Sequence, residues 1–173
     1  MGLLRSRHAA PVAGTRYRMR QRLLSIGDDY WIEYEDGSRA FRVDGKALRI
    51  RKTLILEDTT GREVAKLQER KLSVRDKMEI ERDGRELATV KKALVGIRDR
   101  FAIDVAGGAD LDAKGNLVDH EYEIVRDGDT VATVSKRWFA IRDTYGVAIA
   151  PGEDDALLLA ITVCVDAMSH PRE

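Results

Sequence analysis

Three basic pairs recur along the 173-residue chain: Arg70-Lys71, Lys91-Lys92 and Lys136-Arg137. An arginine offers a planar fork that grips two oxygens of one phosphate, and a lysine adds a compact point charge. If equivalent strands bring these pairs to one rim, they form a patch able to hold phosphate groups. The competing reading is a solvated outer face, because strand alternation turns every second side chain to water. These six residues are the candidate ligand-binding set.

Other chemistry is weaker. Asp28-Asp29 and Asp154-Asp155 offer hard oxygen ligands, but their spacing matches no cation loop. Asp119-His120-Glu121 has acid–base groups without a nucleophile or a pocket beside them. Cys164, the single cysteine, excludes a disulfide framework and a thiolate cluster, and among Val and Ile it reads as an inert buried thiol. The three histidines, His8, His120 and His170, are too scattered for an imidazole metal site. No metal, no cofactor and no catalytic residue is therefore expected.

Thirty Lys and Arg against thirty Asp and Glu leave a formal net charge of zero. That balance argues against a general nucleic-acid binder and removes any global pull toward an anionic membrane, while leaving room for a local patch. The length fits one domain.

The two ends differ. Residues 1–16 are basic, contain Pro11 and show no period, so they read as a disordered leader ahead of one domain over 17–169. They partly resemble an organellar transit peptide, and Met1-Gly2-Leu3-Leu4-Arg5-Ser6 fits an acylation pattern, but such short matches arise by chance. No secretory core follows, so a cytoplasmic location is the default. From Tyr17 to Leu23 alternation suggests an edge or surface strand. At the other end, Ala156–Val165 is an apolar run of ten residues. With Glu153, Asp154 and Asp155 in its first turn it predicts a helix over about 153–168, apolar all round and thus buried. A bilayer span needs about twenty apolar residues, twice this run.

Between those ends the period is two. Phe41/Val43, Leu48/Ile50, Leu54/Leu56, Met78/Ile80, Phe101/Ile103 and Tyr145/Val147/Ile149 alternate with polar or small residues. Asp36-Gly37, Asp44-Gly45, Asp83-Gly84 and Asp127-Gly128 read as hairpin turns, with Thr60-Gly61 and Gly115-Asn116 as weaker ones. Segments 58–67, 81–90 and 125–134 repeat one another, and Arg75-Asp76, Arg98-Asp99 and Arg142-Asp143 stand at equivalent places after them. A lone hairpin cannot bury its apolar face. Copies closing around a common centre can, and the lumen then needs a filler, for which the terminal helix is available. Trp31, Trp138 and Phe139 read as barrel core or strand surface.

Several blocks resemble the LURP-one-related family: Gly27-Asp28-Asp29-Tyr30, Val43-Asp44-Gly45-Lys46, Asp119–Ile124, Val134–Phe139, Asp143–Val147 and Ile149–Asp155. The resemblance runs from about Tyr17 to Met168. That family is similar in fold to the Tubby C-terminal domain and the phospholipid scramblases. The resemblance implies an all-β, closed antiparallel barrel of about twelve strands enclosing a hydrophobic C-terminal helix. Tubby-like members bind phosphoinositide head groups through basic residues, scramblases act at membranes, and some plant members of the closer family are linked to pathogen defence. The expectation that follows is a non-enzymatic cytoplasmic binding or scaffold protein, peripheral at a membrane at most. Its partners would be an anionic phospholipid or another phosphorylated ligand, or a protein, and not nucleic acid. A scramblase-like protein anchored by its terminal helix is the first alternative, and a small enzyme the second.

Overall fold

The computed structural model describes residues 14–20, 29–46, 53–70, 77–95 and 98–169, with side chains at 46, 94–95 and 98–99 left aside. Lys71, Asp28, Leu48/Ile50, Arg75-Asp76 and nearly all of the leader lie outside the described residues. The strands are β1 (Thr15–Arg20), β2 (Tyr30–Tyr34), β3 (Arg39–Lys46), β4 (Thr53–Asp58), β5 (Glu63–Glu69) and β6 (Lys77–Arg82). They continue as β7 (Arg85–Val95), β8 (Arg98–Val105), β9 (Leu111–Asn116), β10 (Glu121–Arg126), β11 (Asp129–Ser135) and β12 (Thr144–Ile149). One helix, α1 (Asp155–Ser169), follows. Each strand pairs antiparallel with its neighbours in the chain, and β1 closes the ring against both β2 and β12. The fold is thus a closed twelve-stranded antiparallel barrel with one C-terminal helix, as the alternation and the resemblance implied.

An up-and-down order gives the barrel two distinct ends. At one, which we term the turn end, β2–β3, β4–β5, β6–β7, β8–β9 and β10–β11 are joined within a few residues. At the other, the loop end, lie the exits of β1, β5, β7, β9 and β11.

Two of the Asp-Gly hairpins are built alike. Asp83 and Gly84 have φ of 52° and 74°, Asp127 and Gly128 have 50° and 86°, and the flanking residues pair directly (Arg82 with Arg85, Arg126 with Asp129). Two successive positive φ values match the twist of the strands they join. The repeat extends to a bulge at the same place, between Leu56 and Glu57, Ile80 and Glu81, and Ile124 and Val125. A methyl group at Gly84 would meet no atom within 4 Å, so only its backbone conformation opposes a substitution. Gly84→Ala should lower stability by about 1–2 kcal/mol in urea denaturation, with an unchanged slope. An unmoved midpoint would refute the left-handed turn.

Asp44-Gly45 does not turn. Both residues continue β3 and face Ile55 and Leu54 of β4, with no left-handed φ between them. Gly115 likewise lies inside β9, and the turn follows at 117–120.

Alternation delivers one face of every strand to the lumen. Met19, Ile32, Val43, Leu56, Leu67, Ile80, Val90, Phe101, Ile103, Ile124 and Val147 are buried there, and α1 fills the space they enclose. From Leu158 to Asp166 every helix residue is buried. The helix enters from the turn end, where three contacts hold its start. Arg82 grips Asp154 through two bonds of 2.9 and 3.1 Å, Arg126 grips Glu153 at 2.8 and 2.9 Å, and Tyr17 donates to Asp155 at 2.5 Å. Asp154 also caps the helix by accepting the Leu157 N–H at 3.1 Å, so α1 begins after Glu153 and Asp154 rather than with them. Partial burial works against the charged form of Asp154, but the Arg82 and Leu157 bonds outweigh it and hold its carboxyl below the usual range.

Candidate functional site

β5, β7 and β11 all run toward the loop end, so the barrel carries the described members of the candidate set toward that one end. Arg70 directly follows β5 and bonds Glu79 of β6 at 2.5 Å. Lys91 stands on the outer face of β7 and bonds Asp104 of β8. Alternation with Ala88 and Val90 puts Lys92 on the lumen side, and among the described residues it has no acidic partner. Lys136 and Arg137 open a 3₁₀ turn after β11, with Asp119 at 4.0 Å and Glu121 at 3.9 Å. In the ring β7 lies two strands from β5, and β11 lies opposite β5, so these residues are spread around the opening rather than side by side. Four of the five described cations already face a carboxylate.

The two ends differ in charge. The connections of the turn end carry Glu35, Asp36, Asp83, Asp110, Asp127 and Glu153–Asp154 against Arg62, with Arg82 and Arg126 at the adjoining strand ends paired to Asp154 and Glu153. The described connections of the loop end carry Arg70, Lys136, Arg137 and Arg142 against Asp29, Asp119 and Asp143. Among the described connections the turn end is thus acidic and the loop end slightly basic.

Sequence reasoning missed a cleft on the outer wall at the loop end. It encloses about 520 Å³ and is lined by Arg18 and Arg20 of β1, Trp31 and Glu33 of β2, and Ile141–Thr144 ahead of β12. The signal was the alternation Arg16-Arg18-Arg20, which places these arginines on one face. The 3₁₀ turn borders the same wall. A Cβ at Gly146 would lie 2.5 Å from Trp138 and 2.9 Å from Phe139, so only glycine lets both rings pack onto β12. Arg16 lies over the Trp138 ring at 5.2 Å, and Arg39 over Trp31 at 4.5 Å. Both tryptophans therefore belong to the outer strand surface.

Inside the barrel, near the loop end, sits a polar cluster. His120, in the turn before β10 with a φ of 52°, reaches Asp166 of α1 with Nε2 2.5 Å from Oδ1. Its ring stacks on Tyr145 at 4.2 Å. The hydroxyls of Tyr30 and Tyr145 are buried without a hydrogen-bond partner among the described residues, and that of Tyr122 is buried beside Thr162 of α1. Burial, with the Asp166 carboxylate second, pushes all three phenols above their usual range, so they stay neutral.

This arrangement divides the other candidates. His120 points inward, while Asp119 is exposed and Glu121 accepts from Ser135 and the Lys136 N–H, so the three do not converge. Asp29 lies at the loop end and Asp154-Asp155 at the turn end, too far apart for one cation. Among the described residues no three His, Cys, Asp or Glu side chains are placed to hold a metal. Cys164 is buried mid-helix.

The chain belongs to the LURP-one-related family, whose model matches residues 15–166. In fold it is similar to the crystal structure of a protein from Arabidopsis thaliana, AT5G01750. That likeness has a TM-score of 0.67 at 16% identity and covers 92% of this chain and 94% of that one. No curated protein matches the chain. No described helix is long and apolar enough to cross a membrane. At 15 residues α1 is about 22 Å long, short of the roughly 30 Å hydrocarbon core, and the barrel wall encloses it.

Proposed function

We propose that the protein is a non-enzymatic binding protein that recognises a phosphate-bearing ligand, an anionic phospholipid head group or another phosphorylated molecule, at the loop end of its barrel. The observation that carries this reading is the gathering of cations at that end against an acidic opposite end. Such polarity orients the molecule before contact, because opposite faces feel opposite forces near a charged surface. Arg70, Lys71, Lys91, Lys92, Lys136 and Arg137 would supply the attraction. Among the described members Lys92 is free to take a ligand oxygen directly, and Arg70, Lys91, Lys136 and Arg137 must exchange a carboxylate for a phosphate. No convergence of nucleophile and base among the described residues favours a reaction. A cytoplasmic location, with contact at a membrane surface only, suits this reading.

Sedimentation with liposomes tests it, using phosphatidylcholine vesicles with and without a phosphoinositide at low and high salt. Binding confined to anionic vesicles and weakened by salt is expected. The variant with Lys91, Lys92, Lys136 and Arg137 all changed to Ala should keep its fold and lose most of that binding, since each basic residue near an anionic surface contributes about 1 kcal/mol. Undiminished binding would remove these four residues from the site.

A further inference from the structure

We infer that the phosphate itself is held in the cleft between β1 and the approach to β12, gripped by Arg20 and Arg142. This rests on the phosphate-binding reading and names the place where the ligand sits. The cleft volume of about 520 Å³ lies within the range of small-molecule sites. Its three arginines are not equivalent. Arg18 is committed to Glu33, the residue facing it across the β1–β2 pair, through bonds of 2.8 and 2.5 Å. Arg20, one strand period further on, has no acidic partner among the described residues. Arg142 is almost fully exposed, and its one carboxylate neighbour, Asp143, stands off at 3.9 Å. Arg20 thus lines the concavity without an acidic partner among the described residues, and Arg142, like Lys136 and Arg137, has only a loose one at 3.9–4.0 Å, unlike Arg70 and Lys91, which bond theirs directly.

The walls fit an ester rather than a bare ion. Trp31 lines the cleft, and Ile141, half exposed, stands at its edge. An apolar body attached to the phosphate would cover both. Arg20, the last residue of β1, faces Thr144, the first of β12, and Arg142 stands two residues ahead of Thr144 in the turn that leads into β12. Two forks lining one cleft suit an anion with several equivalent oxygens, which a phosphate monoester presents. The ligand chemistry is therefore a phosphate ester carried on a small body, as a lipid head group or as a free metabolite.

Calorimetric titration with inorganic phosphate and with glycerol 3-phosphate, beside sedimentation with phosphatidylcholine vesicles with and without phosphatidic acid, tests the site. Arg20→Ala and Arg142→Ala should each weaken binding about tenfold, the value of one charge-assisted hydrogen bond. The exposed Lys114→Ala should bind as the unaltered protein does. Arg20→Gln with Arg142→Gln, which keeps both side-chain stems, serves if the alanine variants do not fold. Glycerol 3-phosphate bound as tightly as vesicles identifies a free ester, and vesicles alone a lipid; either supports the cleft if the arginine variants lose it. Unchanged binding by the arginine variants, with loss in the Lys91/Lys92/Lys136/Arg137 variant, overturns the cleft and leaves the function standing. Binding of none of the probes by the unaltered protein overturns the function and the cleft together.

Discussion

Leu158→Asp should leave no folded protein. Leu158 lies on the buried length of α1, with 1% of its surface exposed, inside a ring of apolar side chains. A carboxylate there would have no cation to meet, since the arginines at the helix start, Arg82 and Arg126, are held at the turn end by Asp154 and Glu153. Breaking compensation around one buried charge costs about 3–5 kcal/mol, and the lost leucine contacts add about 2–5 kcal/mol. Domains of this size are stable by about 5–15 kcal/mol, so the sum removes most or all of the margin. Leu158→Ala separates the two contributions, because it removes the contacts without adding a charge and should remain folded with a lower midpoint. Circular dichroism and thermal melting of both variants decide the matter. A Leu158→Asp protein that melts as the unaltered one does would mean that the helix does not fill the barrel.

That helix was the most legible element of the chain, because nothing but burial accommodates ten apolar residues flanked by acids. The repeat was nearly as clear: segments 58–67, 81–90 and 125–134 became three hairpins with bulges at equivalent positions. Asp44-Gly45 shows where local pattern fails. The dipeptide permits a turn but does not require one, and pairing of β3 with β4 along its whole length holds it extended. For the site, the direction of the odd strands carries Arg70, Lys91, Lys92, Lys136 and Arg137 toward one end, spread around it rather than side by side. Their neutralisation was not legible. Glu79 and Asp104 are partners only through cross-strand register, which a linear pattern does not contain. Arg20 and Arg142 line one cleft for the same reason, through closure of β1 on β12. The Asp166 that His120 needs stands 46 residues away.

Removing Asp166 should also destabilise the protein, for the opposite reason. A negative side chain in the last turns of a helix opposes the helix dipole, and burial raises its cost further. Local preference thus argues against an acid at this position, and a tertiary contact must offset it. His120 is that contact: its ring is 1% exposed, stacks on Tyr145 and reaches Asp166 across the end of the lumen. The pair ties the exit of α1 to the turn between β9 and β10, as Arg82 and Arg126 tie its entrance to β6 and β10. Asp166→Ala removes the carboxylate that His120 reaches and that lies beside three buried phenols, an expected loss of about 1–3 kcal/mol. His120→Ala should cost a similar amount, since it leaves Asp166 buried without the imidazole. Changing both to leucine removes donor and acceptor together and should recover much of that loss. A double-mutant cycle by urea denaturation measures the coupling, which should exceed about 1 kcal/mol for a buried hydrogen-bonded pair. Losses that simply add would show that the two side chains are neighbours without being partners, and that the barrel holds the far end of its helix by packing alone.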